Sequence, residues 1–190
     1  MSPDLYALPP EEFTAARDAA VKQARSDGDR PRAKELAGLR RPTASAHLVN
    51  LLLRAEPDLV AQLLDLGAQL AQAQQAGSGQ ALRELGEQRR ALVSAVTERA
   101  VDLAGRDVPT AVRAEVEATL EAALADPGAA RAVQSGRLVR ALSYAGFGSP
   151  DLEGAVAPDT ADAAPAEALT RDSKAVAAAE RAAQEAAGRL

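Results

Sequence analysis

The feature that most restricts this chain is what occupies its apolar positions. In 190 residues there are 47 Ala and 24 Leu, but no Ile, no Trp, one Met, two Phe and two Tyr. Ala is the best helix former and the poorest core filler. A β-sandwich or a doubly wound α/β sheet needs Val/Ile-rich runs that this chain does not contain. The expectation is an all-α protein, a helical bundle around a thin core of Leu and Val. The length allows one ordinary domain and an appendage.

Proline and capping residues divide the chain. Pro9-Pro10 followed by Glu11 and Glu12 opens a helix that stops near Ser26-Asp27-Gly28, with acids in the first turn where the helix dipole favours them. Asp29 reads as an N-cap, with Pro31 behind it, for a short helix to about Leu39. Pro42-Thr43 restarts the chain, and Leu48, Leu51, Leu52 and Ala55 follow at helical spacing. Pro57 opens a helix to about 76, and Gly77-Ser78-Gly79 turns it into the longest helix, about 80–104. These two are expected to form the central antiparallel hairpin. Asp107 and Pro109 start a helix through Leu124, and Asp126-Pro127 starts a short one to about Gln134. After Gly136, Arg137 to Tyr144 is expected to add one or two helical turns.

These segments make up an expected bundle domain over 1–148, of about seven helical pieces. Tyr6 and Phe13 flank its first helix and Tyr144 and Phe147 its end, so all four aromatics are expected to be buried anchors. Residues 149–165 hold three prolines and Gly154 and read as a flexible linker. Residues 166–190 are Ala, Glu and Arg with almost no large apolar side chain. They read as an Ala-rich helix or a disordered tail, with helix propensity and nothing to bury.

The exclusions are sharper than the assignments. With no Cys there is no disulfide framework, thiolate nucleophile or zinc ribbon. One histidine, His47, cannot build a multi-histidine metal site. The opening residues carry no basic and apolar leader, and no run approaches the ~20 residues of a membrane span, so a cytoplasmic protein without membrane contact is expected. No phosphate-loop or dinucleotide fingerprint is present, and Gly146-Phe147-Gly148 reads as a helix stop. Glu115, Glu117 and Glu121 lack the Glu-x-x-His partners of a di-metal bundle and read as a solvated face. His47 reads as a packed histidine satisfied by a neighbour, because nothing in the spacing selects an activating partner. No catalytic, cofactor or metal residues are assigned.

The net charge of −5 hides a segregation. Residues 17–54 carry 9 bases and 4 acids, whereas 55–126 carry 6 bases and 12 acids. The favoured reading is that the basic segment meets acids of 55–126, within the chain or across a homodimer. The candidate partner-binding residues are Arg30, Arg32, Lys34, Arg40, Arg41 and Arg54. The alternative is a nucleic-acid surface. The two helices joined at Arg41-Pro42-Thr43 have the outline of a helix-turn-helix that would present Thr43, Ser45 and His47. Against this, the second helix is strongly apolar and no aromatic lies nearby to stack on a base.

The strings from Leu8-Pro9-Pro10-Glu11-Glu12-Phe13 to Leu39-Arg40-Arg41-Pro42-Thr43, with Val49-Asn50, Gly136-Arg137-Leu138 and Ala145-Gly146-Phe147-Gly148, carry a resemblance. Over about residues 5–148 the chain resembles a family of uncharacterised helical proteins from high-GC actinobacteria. The bias of 19 Arg against 3 Lys fits such a genome. The resemblance implies an N-terminal helical region followed by an Ala/Glu/Arg-rich coiled coil, here short, and brings no activity with it. Such sequences often carry Trp where this chain has His47, which implies a packing position. The expected function is a non-enzymatic helical protein-interaction module, working with a protein partner or as a homo-oligomer. A nucleic-acid-associated protein using residues 17–54 is the alternative.

Overall fold

A computed structural model describes residues 4–143 and 151–158. Its described residues form seven α-helices and no strand: α1 Pro10–Ser26, α2 Arg30–Ala37, α3 Ala44–Ala55, α4 Pro57–Gln75, α5 Gly79–Leu103, α6 Thr110–Ala125 and α7 Pro127–Gln134. A single 3-10 turn, Leu5–Ala7, precedes them. The all-α expectation holds. The boundaries follow local chemistry. The side chains of Asp29, Thr43, Ser78 and Asp126 each accept a first-turn backbone N–H of the helix they start. Pro10, Pro31, Pro57 and Pro127 occupy first-turn positions, where the missing N–H is not needed.

Helix α3 is the hub. It packs against α4, α5, α6, α7 and the 3-10 turn, and residues 45–50 are all buried. Around it Leu52, Val60, Leu63, Val96, Val116, Leu120 and Val133 form the main core. Helices α4 and α5 make the expected hairpin, closed at the turn by Ser78 and at the far end by the Arg99–Glu56 ion pair at 2.5 Å. The buried stripe of α5 is Val93, Val96 and Ala100, while Leu82, Leu85, Leu92 and Leu103 are half-buried at its margins. Where α4 crosses α6 the backbones nearly touch. A Cβ on Gly67 would lie 2.6 Å from the Leu124 carbonyl oxygen.

A second, smaller core lies between α1 and α2. Phe13 is fully buried and its ring centroid is 5.2 Å from that of Tyr6. Leu5, Val21, Ala24, Leu36 and Leu39 complete it, together with Val139 and Ala157 from far along the chain. Tyr6 and Phe13 are thus the anchors expected of them. Tyr144, Phe147 and the 166–190 segment lie outside the described residues.

Two expectations are corrected. Residues 137–143 do not extend α7. Gly136, in the left-handed region at φ +63°, ends the helix, and the chain continues as an extended strap with one antiparallel bridge, Leu138 to Val156. The strap's polar groups are met by side chains of the bundle. Asn50 donates to the Leu138 carbonyl and accepts its N–H, both at 2.9 Å. Thr119 accepts the Leu142 N–H at 3.0 Å. The strap carbonyl of Val139 accepts the Thr43 N–H at 2.8 Å. Secondly, residues 151–158, read as the start of a linker, belong to the same compact unit, which runs to Pro158. Ala155 and Ala157 are buried, and the Val139 N–H donates to the Ala155 carbonyl at 2.8 Å.

Candidate interaction surface

The six basic candidates do not form one patch. Arg54 lies in the last turn of α3, donates to Asp4 at 2.6 Å and is engaged there. Arg32 lies beside Glu35, one turn on in α2, at 3.6 Å. Arg30, Lys34, Arg40 and Arg41 are exposed, and none forms an ion pair among the described residues. The expected pairing with acids of 55–126 is therefore not made within the described chain. Those acids have nearer partners: Glu121 meets Arg89 at 3.7 Å, and Glu98 meets Arg113. The reason is reach. Charges on neighbouring helices of a bundle find one another first, and the α1–α2 pair packs chiefly on itself.

Of the four free cations, Arg30 and Lys34 lie one turn apart on α2, and Arg40 and Arg41 sit on the elbow between α2 and α3, whose backbone is fixed. Leu39 and Pro42 are buried and pin it on either side of Arg40 and Arg41. The Tyr6 hydroxyl donates to the Arg40 carbonyl at 2.9 Å, and Arg17 Nη1 donates to the Leu39 carbonyl at 3.2 Å. Burial pushes the Tyr6 phenol up to about 12, against the opposing pull of Arg137, Arg40 and Arg17. It therefore remains a donor at any physiological pH. With the backbone held, the exposed Arg40 and Arg41 have little main-chain freedom left to lose on binding, and the Arg40 guanidinium lies beside Gly154. A cleft of about 290 Å³ between α1 and α2 extends this surface with Arg17, Lys22 and Arg25, beside Asp18. Lys22 and Arg25 were not among the sequence candidates. Their one signal was membership of the basic 17–54 run.

The helix-turn-helix outline fails on burial. Ser45 and His47, which would have to reach a nucleic-acid groove, lie in the core, at 0% and 7% exposure. Ser45 donates to Glu115 Oε2 at 2.6 Å, and Thr43 is used as the cap of α3. His47 is buried as expected but not satisfied as expected, since its buried Nδ1 has no hydrogen-bond partner among the described residues. Burial lowers its pKa. Glu11 opposes that shift, while Arg106 and Arg54 reinforce it. Among the described residues no group of His, Cys, Asp or Glu is arranged to hold a metal ion, and no helix is long and apolar enough to cross a membrane.

A second concavity lies on the α4–α5 hairpin. It has about 490 Å³, with Leu66, Ala91 and Leu92 as its floor and Gln62, Gln69 and Gln88 as its walls. Helix α4 contains no Lys or Arg, only Asp58 and Asp65. That absence is the sequence signal for this surface, masked within the charge of the whole 55–126 segment.

Compared with protein-family models, with curated proteins and with solved structures, the chain matches none.

Proposed function

We propose that this chain is a non-enzymatic helical protein-interaction module that engages an acidic protein surface through the α2–α3 elbow. The observation that carries the reading is a set of four exposed, unpaired cations: Arg40 and Arg41 on a backbone held by Tyr6, Arg17, Leu39 and Pro42, and Arg30 and Lys34 one turn apart on the preceding helix α2. Exposed charges left free on a rigid loop add nothing to the fold. They steer and orient a partner of opposite sign. The burial of Ser45 and His47 weighs against a helix inserted in a nucleic-acid groove and in favour of a protein partner. The resemblance to actinobacterial helical proteins with a coiled coil is compatible with this role.

The test is binding of a fluorescent glutamate-rich helical peptide and of duplex DNA to the wild type and to the Arg40→Glu, Arg41→Glu double variant. The expected result is peptide binding by the wild type, lost in the variant, with unchanged thermal unfolding. Tight duplex binding at physiological salt with a steep salt dependence, abolished by the reversal, would overturn the reading in favour of nucleic acid. Equal peptide binding by both proteins, or by neither, would also overturn it.

A further inference from the structure

We infer that the acidic surface met by the elbow is the α4–α5 groove of a second copy of this chain. The inference rests on the elbow reading and adds the identity of the partner. On α4, Asp58, Gln62, Asp65 and Gln69 recur every three or four residues and are all exposed. They therefore share one face of the helix. On α5, Glu84, Gln88 and Ala91 do the same, with Glu87 one turn before Ala91. Gln62, Gln69, Gln88 and Ala91 line the groove, and Asp58, Asp65 and Glu84 share their helix faces within one turn of them. None of these acids forms an ion pair among the described residues, and Glu84 accepts only a hydrogen bond from Gln80, at 3.1 Å.

The same molecule thus carries unpaired acids beside an apolar floor and an unpaired basic elbow. It cannot join them itself, because α2 packs on α1 and the groove belongs to α4 and α5. Between copies the match is direct. Arg30 and Lys34, one turn apart on α2, would lie along the α4 face, with Arg40 and Arg41 reaching the α5 side. The aliphatic stems of these long side chains would cover Leu66 and Leu92 while their charged heads stay at the carboxylates. Such a contact joins two different surfaces and is heterologous, so each copy offers one donor face and one acceptor face. A contact of exposed charges is salt-sensitive and weak pair by pair.

The test is sedimentation velocity over a range of protein concentrations with three full-length proteins. They are the wild type, an elbow variant (Arg30→Gln, Lys34→Gln, Arg40→Gln, Arg41→Gln) and a groove variant (Asp58→Asn, Asp65→Asn, Glu84→Gln). The wild type should associate at low salt and become monomeric in about 1 M salt, where the Debye length is about 3 Å. Each variant alone should associate at least about tenfold more weakly. An equimolar mixture of the two should form a 1:1 complex and nothing larger, because only one elbow and one groove remain. Monomeric wild type at all concentrations would overturn the inference, as would association untouched by either variant or a mixture that does not pair. If the wild type is monomeric yet binds the glutamate-rich peptide through Arg40 and Arg41, the elbow reading stands and only the second copy is excluded as partner.

Discussion

Replacing Asn50 tests what holds the strap of residues 137–142 to the bundle. Asn50 and Leu138 are both fully buried, and the amide makes two hydrogen bonds to the Leu138 backbone. Asn50→Leu keeps the branched shape with slightly more bulk and removes both partners. It leaves one buried N–H and one buried carbonyl unmet, each worth about 1–3 kcal/mol. The expected destabilisation is therefore about 2–6 kcal/mol, a large share of the roughly 5–15 kcal/mol of a typical domain. With a urea slope of about 2 kcal/mol/M, the unfolding midpoint should fall by about 1 M or more. Asn50→Ala adds a small cavity and should fall at least as far. Amide exchange at Leu138, slow in the wild type, should accelerate in both variants. A midpoint for Asn50→Leu within about 0.3 M of the wild type, at unchanged slope, would refute the claim that this side chain secures the strap.

Three further outcomes are expected. Gly67→Ala should destabilise by about 1–3 kcal/mol, since the new methyl meets the Leu124 backbone at 2.6 Å and no flexible side chain can yield; calorimetry should show a lower melting temperature. Phe13→Ala should lose about 3–5 kcal/mol, read by chemical denaturation, because it empties the centre of the α1–α2 core. The pH profile of stability should carry the mark of His47. Its folded pKa lies below the unfolded value of about 6.5, so the unfolded chain takes up the proton first. Stability is whole above about pH 6.5 and declines as pH falls below it towards the folded pKa, by at most about 1.4 kcal/mol per unit. His47→Gln should flatten that slope in urea titrations at pH 7 and pH 5.

The helices were legible because their signals are local. Asp29 with Pro31, Thr43 after Pro42, Glu56-Pro57 and Asp126-Pro127 each place a start within a few residues. The strap was not legible, because its hydrogen bonds come from Asn50, 88 positions away, and Thr119, 23 positions away. The hint was present as two polar side chains in otherwise apolar stripes. A short run such as Arg137-Leu138-Val139-Arg140 has no periodicity of its own to report an extended path. Ala155 and Ala157 read as linker in the sequence, because small residues beside prolines look the same whether solvated or packed. In the candidate surface, charge alone marks Arg30, Lys34, Arg40 and Arg41, whereas the engagement of Arg54 with Asp4 spans 50 positions and no local pattern encodes it. The acidic groove is hidden in a charge sum along the chain, because its acids separate from the bases only around the helix.

The small core around Phe13 has a consequence for how the chain is made. Its walls include Val139 and Ala157, the latter 144 positions downstream of Phe13. On a ribosome adding about 5–20 residues per second, Ala157 follows Phe13 by roughly 7–30 s. During that interval α1 and α2 can form and pair, but the core around Phe13 lacks two of its side chains. The first helices synthesised are thus among the last to be sealed, and the usual N-terminal-first order of folding during synthesis is reversed for this hairpin. A nascent chain stalled before Val139 should hold this core less tightly than the finished chain, which a protease-protection comparison of the two would read.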